Sequence, residues 1–167
     1  AHNSDFAIIH EIFPRKSIIE RQAVGQFGEI QVIAANVDYA FITQAADRDF
    51  NINRVERYIT ICHSAKVKPI IILSKTDLVN KIELESLMTE LKSRIKNVQV
   101  IPVSNQTETG YDQLRRTLLK GKTYCFLGSS GVGKSTVINN LIGQQMLKTS
   151  YISTSTGKGR HTTNRRE

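Results

Sequence analysis

Eight residues, Gly128-Ser129-Ser130-Gly131-Val132-Gly133-Lys134-Ser135, carry the spacing G-x-x-x-x-G-K-[ST], and no other stretch constrains the fold as tightly. The pattern has a mechanism only between a strand and a helix. Residues 123–127 read as a short buried strand. Residues 134–142 read as a helix with Val137, Ile138, Leu141 and Ile142 apolar. The glycines let the backbone curl so that successive N–H groups point at a phosphate, and the helix adds its positive N-terminal end. The loop residues, with Thr136 just beyond them, are the expected phosphate contacts. Lys134 would reach the β- and γ-phosphates, and the Ser135 hydroxyl would ligate Mg²⁺.

Upstream, the pattern alternates between strand and helix. A β-rich apolar run gives one central strand over about residues 38–43, with Val32, Ile33 and Ala34 leading into it. Asn51 is a good N-cap for a helix over about 52–66, whose stripe is Ile52, Val55, Ile59 and Cys62. Residues 69–73 are continuously apolar, as in a strand covered on both faces. Asn80 and Glu83 have the residues of a capping box for a helix to about 96, with Leu84, Leu87, Met88, Leu91 and Ile95 inward. A third strand is expected over 98–103. Gly110 precedes a short helix over about 111–119, with Tyr111, Leu114 and Leu118 inward.

Two strand ends carry possible base-reading residues. Ser74-Lys75-Thr76-Asp77 matches [N/T/S]-K-x-D. A carboxylate there accepts from guanine N1–H and the exocyclic amine, and the lysine stem lies along the base. Adenine offers neither matching donor set, and hydrogen bonds to a charged group contribute about 1.5–3 kcal/mol each. Taken alone, the tetrapeptide could be an ordinary β-to-α turn; beside a phosphate loop it reads as a guanine site. Ser104-Asn105 stands at the end of the next strand, where a backbone N–H could read guanine O6.

Such alternation implies an α/β domain with a mostly parallel sheet flanked by helices, and ligands at the C-terminal strand ends. Ser74, Ser104 and Gly128 all fall at such ends. The order is unusual: the guanine motifs precede the phosphate loop. The expected fold class is therefore a circularly permuted P-loop GTPase domain.

At 167 residues and 40% apolar, the chain is long enough for one domain with a real core, or one domain plus fragments of others. No stretch reaches transmembrane length and no signal peptide is visible. Cys62 and Cys125 are far apart and read as small buried hydrophobes, not a disulfide or zinc pair. The net charge of +8 favours a polyanion such as nucleic acid, with a solvated basic surface as the plain alternative. Residues 148–167 hold five basic side chains against one acidic.

Several segments resemble the family of ribosome small subunit-dependent GTPase A, RsgA: QVIAANVD (31–38), DFNINRVERY (49–58), LSKTDL (73–78), the phosphate loop through Thr136, and TGKGRHTT (156–163). The last is the most family-specific. The resemblance implies an N-terminal OB-fold, a permuted GTPase domain and a C-terminal zinc domain. Residues 1–20 then correspond to the end of the OB-fold and its linker, and 21–167 to the GTPase domain, incomplete without the D-x-x-G segment. Zn²⁺ is expected only in the absent C-terminal domain. The ligands implied are GTP or GDP with Mg²⁺. Switch I falls near 157–163, where Thr163, or else Thr162, would contact Mg²⁺ and His161 would assist attack by water; alternatively His161 and its basic neighbours merely touch rRNA phosphates, or are solvated and disordered. Ser74 stands where most GTPases carry Asn, and its short side chain is expected to reach the phosphate loop only through water.

The function implied is GTP hydrolysis during late maturation of the small (30S) ribosomal subunit. The partners would be that subunit and its rRNA, and the protein a cytoplasmic monomer without membrane contact. The alternatives are an rRNA-binding assembly module with a structural nucleotide, or a permuted GTPase acting on the large subunit.

Overall fold

The structure is a computed structural model that describes residues 8–22, 30–47 and 49–147. Its first elements form an antiparallel pair, β1 (Ile18–Gln22) and β2 (Ile30–Ala35), with Ile18 opposite Ala35 and Gln22 opposite Ile30. Residues 8–17 hold no strand, and Ile8, Ile9, Ile12 and Phe13 are 71–80% exposed. An apolar run becomes a strand only where an edge is offered to it, and β2 offers its edge to Ile18–Gln22. Ile19 is thereby fully buried in the main core.

The central strand, β3 (Tyr39–Ala45), leads by α1 (Ile52–Ser64) to β4 (Lys68–Ser74). The Asn51 side chain accepts from Arg54 N–H at 3.1 Å and starts α1, as its residue type implied. The stripe Ile52, Val55, Ile59 and Cys62 is buried. Beyond β4, a complete capping box between Asn80 and Glu83 starts α2 (Lys81–Arg94). Such a cap stabilises a helix by about 1 kcal/mol. Leu91 and Ile95 are buried, and Leu84, Leu87 and Met88 pack half-buried against the same cluster. Then come β5 (Gln99–Pro102), α3 (Tyr111–Arg116), β6 (Tyr124–Leu127) and α4 (Lys134–Ile142).

The main sheet is parallel throughout, in the order β5-β4-β3-β6. From β3 the chain steps outward to β4 and β5, then returns across both to lie on the far side of β3. Right-handed crossovers in opposite directions put their helices on opposite faces. The two apolar clusters match that rule. One gathers Ile42, Ile71 and Leu73 with Val55, Ile59 and Cys62 of α1 and Leu91 of α2. The other gathers Phe41, Ile70, Ile72 and Ile101 with Tyr111 and Leu114 of α3 and Val137 of α4. The reversal falls between β3 and β6, a switch point where such sheets open a crevice.

Three local expectations are corrected. Leu118 is 41% exposed rather than inward, because α3 ends at Arg116 and the helical period stops with it. Tyr124, Cys125 and Phe126 of β6 are only half-buried, since β6 is an edge strand among the described residues. Residues 30–35 form a strand of their own rather than a lead-in to β3. The two cysteines are free, and burial pushes their thiols up to about 11 for Cys62 and about 12 for Cys125.

Candidate functional site

The loop between β6 and α4 leaves the sheet against β3. Gly128 has φ +148°, and a Cβ there would stand 2.4 Å from the Thr43 carbonyl oxygen, so only glycine permits this approach. Gly131 and Gly133 also have positive φ, +81° and +93°. The concavity so formed leads into the N-terminus of α4, where Lys134, Ser135 and Thr136 form the first turn. The Lys134 ammonium donates to the carbonyls of Gly128 (2.9 Å) and Ser129 (2.6 Å). Burial lowers its pKa from the ordinary lysine value. Val132 is buried, and Ser129, Ser130, Ser135 and Thr136 are half-buried.

Ser74 lies at the end of β4 with no exposed surface. Its hydroxyl donates to the Val132 carbonyl at 2.6 Å and approaches the Gln44 carbonyl at 3.3 Å. The expectation of a water-mediated link is thus corrected. The switch-point geometry brings the two loops close enough for serine to bridge them directly. A longer side chain is not needed for the tie.

Next to it, Lys75 adopts a left-handed conformation, φ +57°, which costs about 1–2 kcal/mol. The turn sends its ammonium to Asp47 at 2.9 Å, and both side chains are largely buried. Gln44, at the end of β3, steadies the Asp47 loop by donating to the Asp49 carbonyl at 2.8 Å. Thr76 donates its N–H to the Val103 carbonyl at 3.3 Å. Asp77 accepts from the Ser104 hydroxyl at 2.7 Å. The Ser104 oxygen also accepts from the N–H groups of Gln106 (3.2 Å) and Thr107 (3.1 Å), which curls this loop. The Asn105 side-chain oxygen accepts from the Tyr111 hydroxyl, which accepts in turn from Asn140 of α4 at 3.1 Å.

The tetrapeptide, the Ser104-Asn105 pair and the phosphate-type loop therefore converge at one end of the sheet. His161, Thr162 and Thr163 lie outside the described residues. Sequence reasoning missed Asp47, Gln44 and Asn140, and saw Tyr111 only as core. None carries a local pattern; each is placed by strand order. Among the described residues no group of three or more His, Cys, Asp or Glu converges.

Fold and site together define a P-loop GTPase domain whose base-side motifs precede its phosphate loop. A crystal structure of YjeQ from Thermotoga maritima shares this fold with a TM-score of 0.67, at 20% identity over 84% of this chain and 47% of that one. YloQ, described as a circularly permuted GTPase, gives a TM-score of 0.56, at 19% identity over 78% of this chain and 50% of that one. The sequence pattern described as RsgA GTPase matches residues 12–167, and the chain belongs to that family. It is similar to small ribosomal subunit biogenesis GTPase RsgA 1 of Bacteroides thetaiotaomicron, 41% identical over 96% of this chain. It is also similar to RsgA 2 of Lactiplantibacillus plantarum, 42% identical over 96% of this chain. The chain spans only 44% and 45% of those relatives' lengths.

Proposed function

We propose that this chain is the guanine-nucleotide-binding part of a GTPase that hydrolyses GTP to GDP and phosphate during maturation of the small ribosomal subunit. The observation that carries the reading is the direct bond from Ser74, beside the base-side aspartate, to Val132 inside the phosphate loop. It supports reading the loop that carries Asp77 and the phosphate-type loop as two parts of one nucleotide site. The names of relatives such as the Bacteroides protein support the ribosomal direction.

In this reading Asp77 accepts from guanine N1–H and the exocyclic amine, held in orientation by the Ser104 hydroxyl. The Ser104 N–H is committed to the Thr109 carbonyl at 3.1 Å, so the Asn105 N–H is the one to read O6. Anchoring on Asp47 lays the Lys75 stem along the base. The loop from Gly128 to Gly133, narrowed so that a Cβ at Gly128 cannot enter, holds the phosphates with Lys134. Magnesium, when bound, neutralises charge on the β- and γ-phosphate oxygens. Ser135 and Thr163 are the side chains that would hold it, which suits a cation that keeps few protein ligands. His161 would orient the attacking water. His161→Ala is expected to cut turnover and leave GDP affinity nearly unchanged; a parallel loss of both would assign it a structural role.

Residues 1–20 are read as the end of a preceding OB-fold with its linker, and 21–167 as the permuted GTPase domain. The protein is read as a cytoplasmic, monomeric rRNA-binding factor. No helix among the described residues is long and apolar enough to cross a membrane. The test is GTP turnover by the protein alone and with purified small or large ribosomal subunits, at stated salt. Strong stimulation by small subunits alone is expected. Stimulation by large subunits would move the site of action. Tight GDP binding with no stimulation by either would favour an rRNA-binding module with a structural nucleotide.

A further inference from the structure

Tyr111 begins α3 with its ring 1% exposed in the second core cluster. Phenylalanine would fill that space as well. The hydroxyl is what differs, and both its hydrogen-bonding functions are used: it donates to Asn105 Oδ1 and accepts from Asn140 Nδ2 of α4 at 3.1 Å. Asn105 also faces the phosphate loop, because its Nδ2 is 3.6 Å from where a Cβ on Gly133 would stand. The side chain is therefore held by Tyr111 at one end and seated beside Gly133 at the other.

We propose that the Tyr111 hydroxyl is a positioning group that sets the Asn105 N–H on the 6-oxygen of guanine and ties that contact to α4. The proposal rests on the guanine-site reading above. A side chain held at one end and packed at the other fixes its own backbone. The Asn105 N–H then meets O6 without further ordering, and the bond to Asn140 makes α4 share the constraint. Tyr111 touches no nucleotide; it acts through Asn105.

The test measures affinity by titration calorimetry for GDP, IDP and 6-thio-GDP in the wild-type protein, Tyr111→Phe and Asn140→Ala. IDP keeps the 6-oxygen and lacks the 2-amino group; 6-thio-GDP replaces the 6-oxygen with sulfur, a weak acceptor. Both variants are expected to weaken GDP and IDP about three- to tenfold and 6-thio-GDP less than about twofold, the scale of one hydrogen bond. An equal loss for all three nucleotides would assign Tyr111 a merely structural role and overturn the proposal, as would an unchanged affinity for GDP. Asn140 is half-buried on α4, so its variant keeps the test decisive if Tyr111→Phe does not fold. A wild-type protein with no preference for GDP over ADP would overturn the guanine site itself. Normal preference with a uniform loss would overturn only the role of Tyr111.

Discussion

Replacing Ser74 with alanine removes a single oxygen from a residue that has no exposed surface. That oxygen has one hydrogen to give. The 2.6 Å contact to Val132 takes it, and the 3.3 Å approach to Gln44 adds little. Val132 is 1% exposed, so water cannot readily replace the lost donor. A hydrogen bond alone contributes about 1 kcal/mol, and a buried carbonyl left unsatisfied raises the loss to about 1–3 kcal/mol. With a urea dependence of about 1–3 kcal/mol per molar, the unfolding midpoint should fall by roughly 1 M. The bond joins two protein loops and needs no ligand to form. The loss should therefore appear in folding stability, while the GDP dissociation constant rises less than about fivefold. The assays are urea unfolding followed by circular dichroism, and calorimetric GDP titration of the same preparation. An unchanged midpoint with a tenfold loss of GDP affinity would refute the reasoning, because the hydroxyl would then act on the base.

Further substitutions test neighbouring parts of the site and the fold. Gly128→Ala forces a Cβ to 2.4 Å from the Thr43 oxygen at φ +148°. It should lower stability by about 2–4 kcal/mol in thermal melts and abolish GDP binding. Asp77→Asn should weaken GDP by at least about a hundredfold, since two hydrogen bonds to a charged group are lost or reversed. It should also admit xanthosine diphosphate, whose 2-carbonyl suits the new amide donor. Asp38 accepts from the Thr123 N–H at 2.9 Å and from Lys122 at 3.1 Å, and these hold its carboxyl below the ordinary value of 3.8, the backbone bond most. A carboxyl depressed on folding contributes stability above its unfolded pKa and loses it as pH falls through the folded one. The urea midpoint of the wild type should therefore fall more steeply below about pH 4 than that of Asp38→Asn.

Much of the scaffold was legible because its signals are local. Asn51 bonds a residue three positions on, and Asn80 and Glu83 cap each other. The apolar stripe of α1 and the unbroken apolar run of β4 state their periods directly. The strand β1 was illegible, because Ile-Ile-Glu-Arg-Gln has no alternation and becomes a strand through pairing with β2. The phosphate-type loop and the base-side tetrapeptide announce themselves by composition. The contacts that lock them do not: Lys75 to Asp47 and Tyr111 to Asn140 join residues far apart in the chain. The order of the strands decides which distant residues meet, and a single sequence does not print that order.

That order also sets a timetable. Tyr39 pairs with Lys68 on one side and with Tyr124, much later in the chain, on the other. During synthesis β3, β4 and β5 can pair, and α1 and α2 can cover one face, before β6 leaves the ribosome. Non-local pairing is slow to gain its contacts, so the docking of β6 beside β3 comes late. The base-side loops then stand ready before the phosphate side arrives, and a nucleotide can grip only the finished sheet. A ligand gripping both halves acts after the folding barrier: it slows the departure of β6 rather than hastening its arrival.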